Sequence, residues 1–101
     1  MASREFAWTV PVDHPAFAGH FPDNPIVPGV VLLDQAILFA GSLQPATPAG
    51  WRVGNAKFLS PVGPGAELLF RLDTRTDGGI AFVVRAGDRD VASGVLTPLA
   101  A

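Results

Sequence analysis

The sequence contains no cysteine and only two histidines, His14 and His20. Without cysteine, the chain has no disulfide, no thiolate nucleophile and no thiolate ligand for a metal. The two histidines do not have the spacing of a structural zinc site. We therefore expect neither a metal nor another cofactor.

Charged residues are scarce as well: they make up 16% of the chain, and the formal net charge is −2. Proteins that bind nucleic acid normally carry a basic excess, so we expect no nucleic-acid partner. The most apolar stretch, residues 26–39, is too short to span a bilayer and is interrupted by Pro28 and Asp34. The first residues lack the basic-then-apolar pattern of a secretion signal. These features predict a cytoplasmic protein with no membrane partner.

Apolar residues, in contrast, account for 49% of a chain of only 101 residues. A domain of this size buries a modest fraction of its surface, so part of the apolar surface should close against another subunit. A homodimer is the simplest such arrangement. The alternative, a monomer with an apolar surface, should aggregate. We expect one domain over residues 1–101 that forms a homodimer, with higher assembly left open.

One long apolar segment lies between regions of β character. Residues 6–12 alternate as a half-buried strand does, and residues 13–28 hold too many prolines for a regular element. Residues 29–43 are apolar on nearly every face, which predicts a buried helix, with a buried strand as the alternative. Turns rich in glycine then separate four further predicted strands, expected to form a meander: residues 51–59, 66–76, 79–86 and 91–99. The order predicts an α+β hotdog fold, in which an antiparallel sheet of about five strands wraps around one long central helix.

Asp34 is the only ionisable side chain between Asp23 and Arg52, and it falls in the middle of the predicted helix. A carboxylate is costly in an apolar setting, which indicates a functional role. The alternative is a carboxylate that faces solvent at a helix edge or accepts hydrogen bonds from the backbone. His20, in the turn before the helix, could take up a proton and return it near neutral pH. An ordinary loop histidine is the alternative for His20, and we assign no role to His14.

Gly29 stands at the predicted start of the helix, after Pro28. Amide groups there lack partners within the helix and lie at its positive end, so they could polarise a carbonyl group. An ordinary helix start is the alternative. Five basic residues are scattered over the predicted strands and either solvate the sheet or help a carrier protein to dock: Arg52, Lys57, Arg71, Arg75 and Arg85.

Two segments together are more specific than any of these residues. Residues 17–34 contain Gly-His-Phe-Pro, then Pro-Gly, then an acid fourteen positions after His20, and residues 57–65 read Lys-Phe-Leu-Ser-Pro-Val-Gly-Pro-Gly. This pattern closely resembles the 3-hydroxyacyl-acyl-carrier-protein dehydratases of fatty-acid synthesis, the FabA/FabZ type. The short length and the sequence Pro-Ile-Val-Pro-Gly-Val around Pro28 resemble the small dehydratases of aryl polyene gene clusters more than the usual stand-alone dehydratases.

The resemblance implies a lyase that removes water from a (3R)-hydroxyacyl thioester, carried on acyl carrier protein or CoA, to give a trans-2-enoyl thioester. His20 would remove the α-proton, and Asp34 of the other subunit would help the hydroxyl leave as water. The Gly29 amide would hold the thioester carbonyl. The acyl tail would run along a tunnel between the subunits, lined by Phe17, Phe21, Ile26, Val30, Leu33 and Phe58.

The chain departs from the family pattern at several positions. The acid is Asp34 instead of the glutamate of the plain dehydratase branch, and Asp23 replaces a glycine after the motif proline. Leu38 replaces a glutamine that orients the acid in some relatives. Two other functions stay open: a hotdog thioesterase, in which a helix carboxylate activates water, and a non-catalytic acyl-binding subunit.

Overall fold

The computed structural model of the chain describes residues 3–13, 26–44 and 47–100. One helix and five strands follow one another: β1 (Ser3–Thr9), α1 (Gly29–Gly41), β2 (Gly50–Phe58), β3 (Glu67–Thr74), β4 (Ile80–Ala86) and β5 (Arg89–Leu99). The expected α+β class and the five-stranded sheet are confirmed. The first strand lies three residues earlier than expected, and the helix ends at Gly41, two residues short of Leu43.

The strands form one antiparallel sheet in the order β1-β3-β4-β5-β2. The expected meander of four strands is therefore wrong, because only β3, β4 and β5 follow one another across the sheet. β2 pairs with β5 at the far edge. The segment after β2 contains Pro61 and Pro64, which have no N–H to donate to a sheet, so the chain leaves the sheet there and returns beside β1.

Tight turns join the three consecutive strands. One of the expected glycine-rich turns lies at residues 77–79: the Arg75 amide donates to the Gly79 carbonyl over 2.8 Å, and Gly78 has a φ of 90°. The Asp77 carboxylate accepts a hydrogen bond of 2.9 Å from the Gly79 amide. The second turn begins at Gly87, with a φ of 63°, where glycine meets no steric cost.

The helix packs on one face of the sheet. Alternate residues of β3 and β4 are buried on that face, as the twofold period of a strand requires: Leu68, Phe70, Leu72, Ile80, Phe82 and Val84. Ala36 and Ala40 are fully buried on the helix, and their small side chains allow close approach. Phe39 stacks on Phe6 with ring centroids 4.4 Å apart and meets the edge of Phe70 at 5.2 Å.

The expectation that the helix is buried on nearly every side is wrong for the single chain. Val30 is 61% exposed and Leu38 is 67% exposed, and the exposed Asp34 lies between them at the same helical spacing. A single sheet covers one side of a helix, so these three residues form a stripe on the opposite side. No helix among the described residues is long and apolar enough to cross a membrane.

The two faces of β3 allow a test of this packing. Phe70→Ala should lower the free energy of unfolding by about 3–5 kcal/mol, because Phe70 is fully buried against two other aromatic rings. Leu69→Ala, one residue away on the outer face, should cost about 1 kcal/mol or less, since Leu69 is 39% exposed. Urea unfolding at one protein concentration measures both. Equal losses would contradict the assignment of the faces.

Candidate functional site

A cleft opens at the start of the helix, between α1 and the segment that follows β2. Its volume is about 230 Å³. None of the eight described residues that line it carries a charge: Val27, Gly29, Leu32, Phe58, Leu59, Ser60, Pro61 and Val62. The Val27 amide donates a hydrogen bond of 2.8 Å to the Val62 carbonyl, which ties the helix entry to the opposite wall. An uncharged cleft of this kind suits an acyl group.

Gly29 and Phe58 are in direct contact in this cleft. A methyl group built on the Gly29 Cα would lie 2.8 Å from Cε1 of Phe58 and 2.9 Å from its Cζ. Real Cβ atoms do not approach so closely, so the aromatic ring occupies the space that any other side chain at position 29 would need. Glycine at this position therefore has a steric reason, and the ring of Phe58 packs beside Gly29 at the start of the helix.

The helix start offers free donors beside this ring. Pro28 precedes the helix with an extended backbone and provides no capping side chain, and the first turn contains no acidic residue. The Val31 amide donates to the Pro28 carbonyl over 3.0 Å. The amides of Gly29 and Val30 come before it and have no acceptor within the helix. The positive end of the helix is thus available to a polarised carbonyl oxygen.

Asp34 is not among the residues that line the cleft. It lies on the exposed stripe between Val30 and Leu38, five residues from Gly29 and so on a different side of the helix. His20 lies outside the described residues, as do Phe17 and Phe21. The structure therefore brings Gly29 together with Phe58, and it keeps Asp34 of the same chain apart from them.

The other predicted tunnel residues are distributed around the helix. Val30 belongs to the exposed stripe, Leu33 is partly buried against the core, and Ile26 is partly buried just before the helix. Sequence reasoning missed Val27, Leu32 and residues 59–62 as lining of the cleft. The segment 57–65, which carried part of the family resemblance, was the signal that could have identified residues 59–62.

Three of the five basic residues singled out in the sequence are paired with an acid. Arg71, Arg75 and Arg85 each form an ion pair with an aspartate close by in the same hairpins, at distances of 3.1–3.4 Å: Asp73, Asp77 and Asp90. All three pairs are exposed, so their contribution to stability is small. Within residues 3–13, 26–44 and 47–100, no cluster of three or more histidine or acidic side chains could hold a metal ion.

Solved structures share this architecture. The dehydratase heterocomplex ApeI:P from Xenorhabdus doucetiae superimposes with a TM-score of 0.79 at 24% identity, covering 94% of this chain and 85% of that chain. The fluoroacetyl-CoA-specific thioesterase FlK gives a TM-score of 0.69 at 13% identity, covering 94% of this chain and 88% of that chain. At these identities the similarity shows the fold alone. The single helix packed on a five-stranded antiparallel sheet defines a hotdog protein.

The sequence comparison is more specific than the fold. A family model described as ApeI dehydratase matches residues 1–95, so the chain belongs to the ApeI-like dehydratase family. The 3-hydroxyacyl-[acyl-carrier-protein] dehydratase FabZ of Brucella ovis is 37% identical over 71 residues, which cover 62% of this chain and 45% of that relative. The match thus spans about half the length of the relative. The resemblance seen in the two sequence segments is confirmed.

The contact between Gly29 and Phe58 can be tested by adding one methyl group. Gly29→Ala should destabilise the chain by about 1–3 kcal/mol, because the new Cβ overlaps the ring. Adding Phe58→Ala to Gly29→Ala should remove that overlap, so the two losses should not add. Gly41→Ala is the matched control: nothing lies within 4 Å of its added Cβ, so stability should stay equal or rise. Additive losses in urea unfolding would contradict the contact.

Proposed function

We propose that this chain dehydrates (3R)-hydroxyacyl thioesters, on acyl carrier protein or CoA, to trans-2-enoyl thioesters. The observation that carries the proposal is the uncapped helix start at Gly29, which opens into an uncharged cleft in a member of a dehydratase family. The named activities of FabZ and of the ApeI:P heterocomplex support the same reaction.

The reaction needs three groups. The Gly29 amide would donate a hydrogen bond to the thioester carbonyl and stabilise the negative charge that develops on its oxygen. His20 would accept the α-proton, and Asp34 would give a proton to the 3-hydroxyl as its bond to carbon breaks. The electron pair of the C–H bond becomes the new double bond, and the hydroxyl leaves as water. The role of His20 rests on the sequence motif, since that residue lies outside the described part of the chain.

The position of Asp34 supports a site shared between two subunits. Its carboxylate lies on the exposed stripe of α1, away from the cleft of its own chain. The stripe is otherwise apolar, and Phe58 and Leu59 at the end of β2 are more than half exposed. A second copy that covers these surfaces would bury apolar area and could bring its own Asp34 to the cleft. The proposed homodimer would then hold two equivalent sites.

The pairing partner could also be a different chain of similar fold. The ApeI:P structure is described as a heterocomplex, so a homodimer is one of two arrangements to be tested. In either arrangement the substrate tail would run along a tunnel between the subunits, past Phe58. The proposal retains the cytoplasmic location expected from the sequence, and it includes both alkyl and aryl tails.

A thioesterase is the second candidate function, because the fold also matches FlK and a helix carboxylate is present. In that reaction Asp34 would activate a water molecule, and His20 would have no part. The third candidate is an acyl-binding subunit without turnover. The histidine motif and the dehydratase family favour the first function over both.

One assay separates these functions. The protein is mixed with a 3-hydroxyacyl or a 2-enoyl thioester, and both the enoyl absorbance and the free thiol are followed over time. We expect interconversion of the two thioesters without thiol release. Thiol release without interconversion would identify a thioesterase. Binding without either change, on carrier protein and on CoA, would identify an acyl-binding subunit.

Asp34→Asn should lower the dehydration rate by about 10²–10⁴-fold, because the amide cannot supply the proton. The fold should be retained, because asparagine matches aspartate in size and Asp34 is exposed in the single chain. Asp88→Asn, in the exposed turn between β4 and β5, is the matched control and should keep full activity. Equal rates for the two variants would remove Asp34 from the mechanism.

The shared site predicts complementation between inactive variants. His20→Ala and Asp34→Ala chains, each inactive alone, should regain activity when they are co-refolded, because a mixed dimer contains one intact histidine–aspartate pair. Random mixing gives up to about half of the chains in mixed dimers, so recovery should approach about one quarter of the normal activity. Native mass spectrometry verifies the mixed dimer. A verified mixed dimer without activity would show that both residues act within one chain.

A further inference from the structure

Strand β2 contains one residue more than its partner β5 can match. Gly54 faces Val95 and Lys57 faces Ser93, so Asn55 and Ala56 together face the single residue between them, Gly94. This is a β-bulge. Asn55 has a φ of 52°, the only positive φ outside glycine among the described residues. Asparagine is among the few residues that tolerate this left-handed conformation.

The bulge determines which side chain reaches the cleft. Before it, Val53 pairs with the buried Leu96 and so faces the helix side of the sheet. Plain alternation along the same sequence would next turn Lys57 to the helix side and Phe58 outward. The extra residue reverses this order: Phe58 pairs with the buried Ala92 and lies on Gly29. Lys57 faces outward beside Ser93.

The partner strand is shaped to receive the bulge. A Cβ on Gly94 would lie 2.7 Å from Cε1 of Phe82 and 3.4 Å from the Cα of Ala56. Gly94 thus leaves room for the ring of Phe82 on the helix side and for the bulged backbone beside it. The bulge, Gly94 and Phe82 form one packed unit next to the cleft.

We propose that Asn55 is a positioning residue that holds the β2 bulge and thereby turns Phe58, instead of Lys57, onto the start of the helix. Phe58 then sets specificity: its ring packs beside Gly29 and would border the carbon next to the thioester carbonyl. Acyl groups that are unbranched at that carbon fit, and those with a 2-methyl branch meet the ring. The specificity part rests on the proposed dehydration, whereas the positioning part stands on the geometry alone.

The positioning part can be measured without any substrate. In a ¹⁵N–¹H spectrum, the ring current of Phe58 should displace the Gly29 signal, one of 11 glycine signals. Phe58→Leu defines the signal without the ring. Asn55→Gly should keep the original position, because glycine adopts the same backbone freely. Asn55→Val should move the signal towards that of Phe58→Leu, because a β-branched residue opposes a positive φ. An unmoved signal in folded Asn55→Val would overturn the proposal.

Deletion of Asn55 provides a second variant if Asn55→Val does not fold. Without the extra residue, Ala56 faces Gly94 and Phe58 still faces Ala92, so ordinary alternation is enough to keep the ring on Gly29. The Gly29 signal should therefore stay close to its original position in this deletion. A signal that moves to the position seen in Phe58→Leu would overturn the account of the bulge.

The specificity part uses the dehydration assay with linear and 2-methyl-branched 3-hydroxyacyl thioesters. Phe58→Leu should reduce the preference for the linear substrate, expressed as a ratio of kcat/KM values, by about tenfold. Asn55→Val should reduce it to a similar extent, Asn55→Gly should not, and Asn55→Val added to Phe58→Leu should have no further effect. An unchanged ratio with an active enzyme overturns the specificity part. An enzyme that turns over neither substrate overturns the proposed dehydration, and the Gly29 signal still decides the role of Asn55.

Discussion

A single β-sheet can cover only one side of a helix, and much of this structure follows from that limit. Ala36 and Ala40 bring α1 close to the sheet, and Phe39 fixes it there between Phe6 and Phe70. The opposite side keeps Val30, Asp34 and Leu38 in contact with solvent. Several of the exposed apolar side chains therefore lie on the helix stripe and at the end of β2. The stripe includes Asp34, the only acid of the helix, so the apolar surface that the proposed second subunit would cover also holds the proposed proton donor.

The order of the strands forms the cleft at the start of this helix. Because β2 pairs with β5 at the sheet edge, its last residue, Phe58, ends beside the start of α1. The following segment leaves the sheet and passes the helix entry, where Val62 accepts a hydrogen bond from Val27. A four-strand meander would have carried the chain from β2 into a neighbouring strand and left the helix start uncovered. The connection between β2 and β3 therefore forms the wall of the cleft that faces the start of the helix.

Periodicity and turn residues in the sequence were sufficient for the helix, the five strands and both hairpin turns, because each is a local property of the chain. The position of β2 was not predictable in this way, since pairing with β5 is decided by tertiary packing. The bulge could not be predicted for a related reason: it depends on Asn55 lying opposite Gly94, and these residues are distant in the sequence. Asp34 and Gly29 could be predicted as site residues, and their five-residue spacing alone puts them on different sides of a helix. The exposure of Asp34 opposite the sheet required the three-dimensional structure. The solvent exposure of Asp34 in the single chain agrees with the alternative of a carboxylate that simply faces solvent. The catalytic role of Asp34 stays a prediction.

The neighbours Lys57 and Phe58 lie on opposite faces of β2, so a one-residue change in the pairing register would put Lys57 in the cleft instead of Phe58. The two residues differ in charge and shape, and a shift of one position in the alternation of β2 exchanges the faces on which they lie. An ammonium group at the start of α1 would meet the positive end of the helix, and the described residues of the cleft include no acid to compensate it. An aromatic ring at the same place meets no such penalty and packs on glycine. Electrostatics at the helix start therefore favours the bulged arrangement, even though the left-handed backbone at Asn55 has a cost of its own.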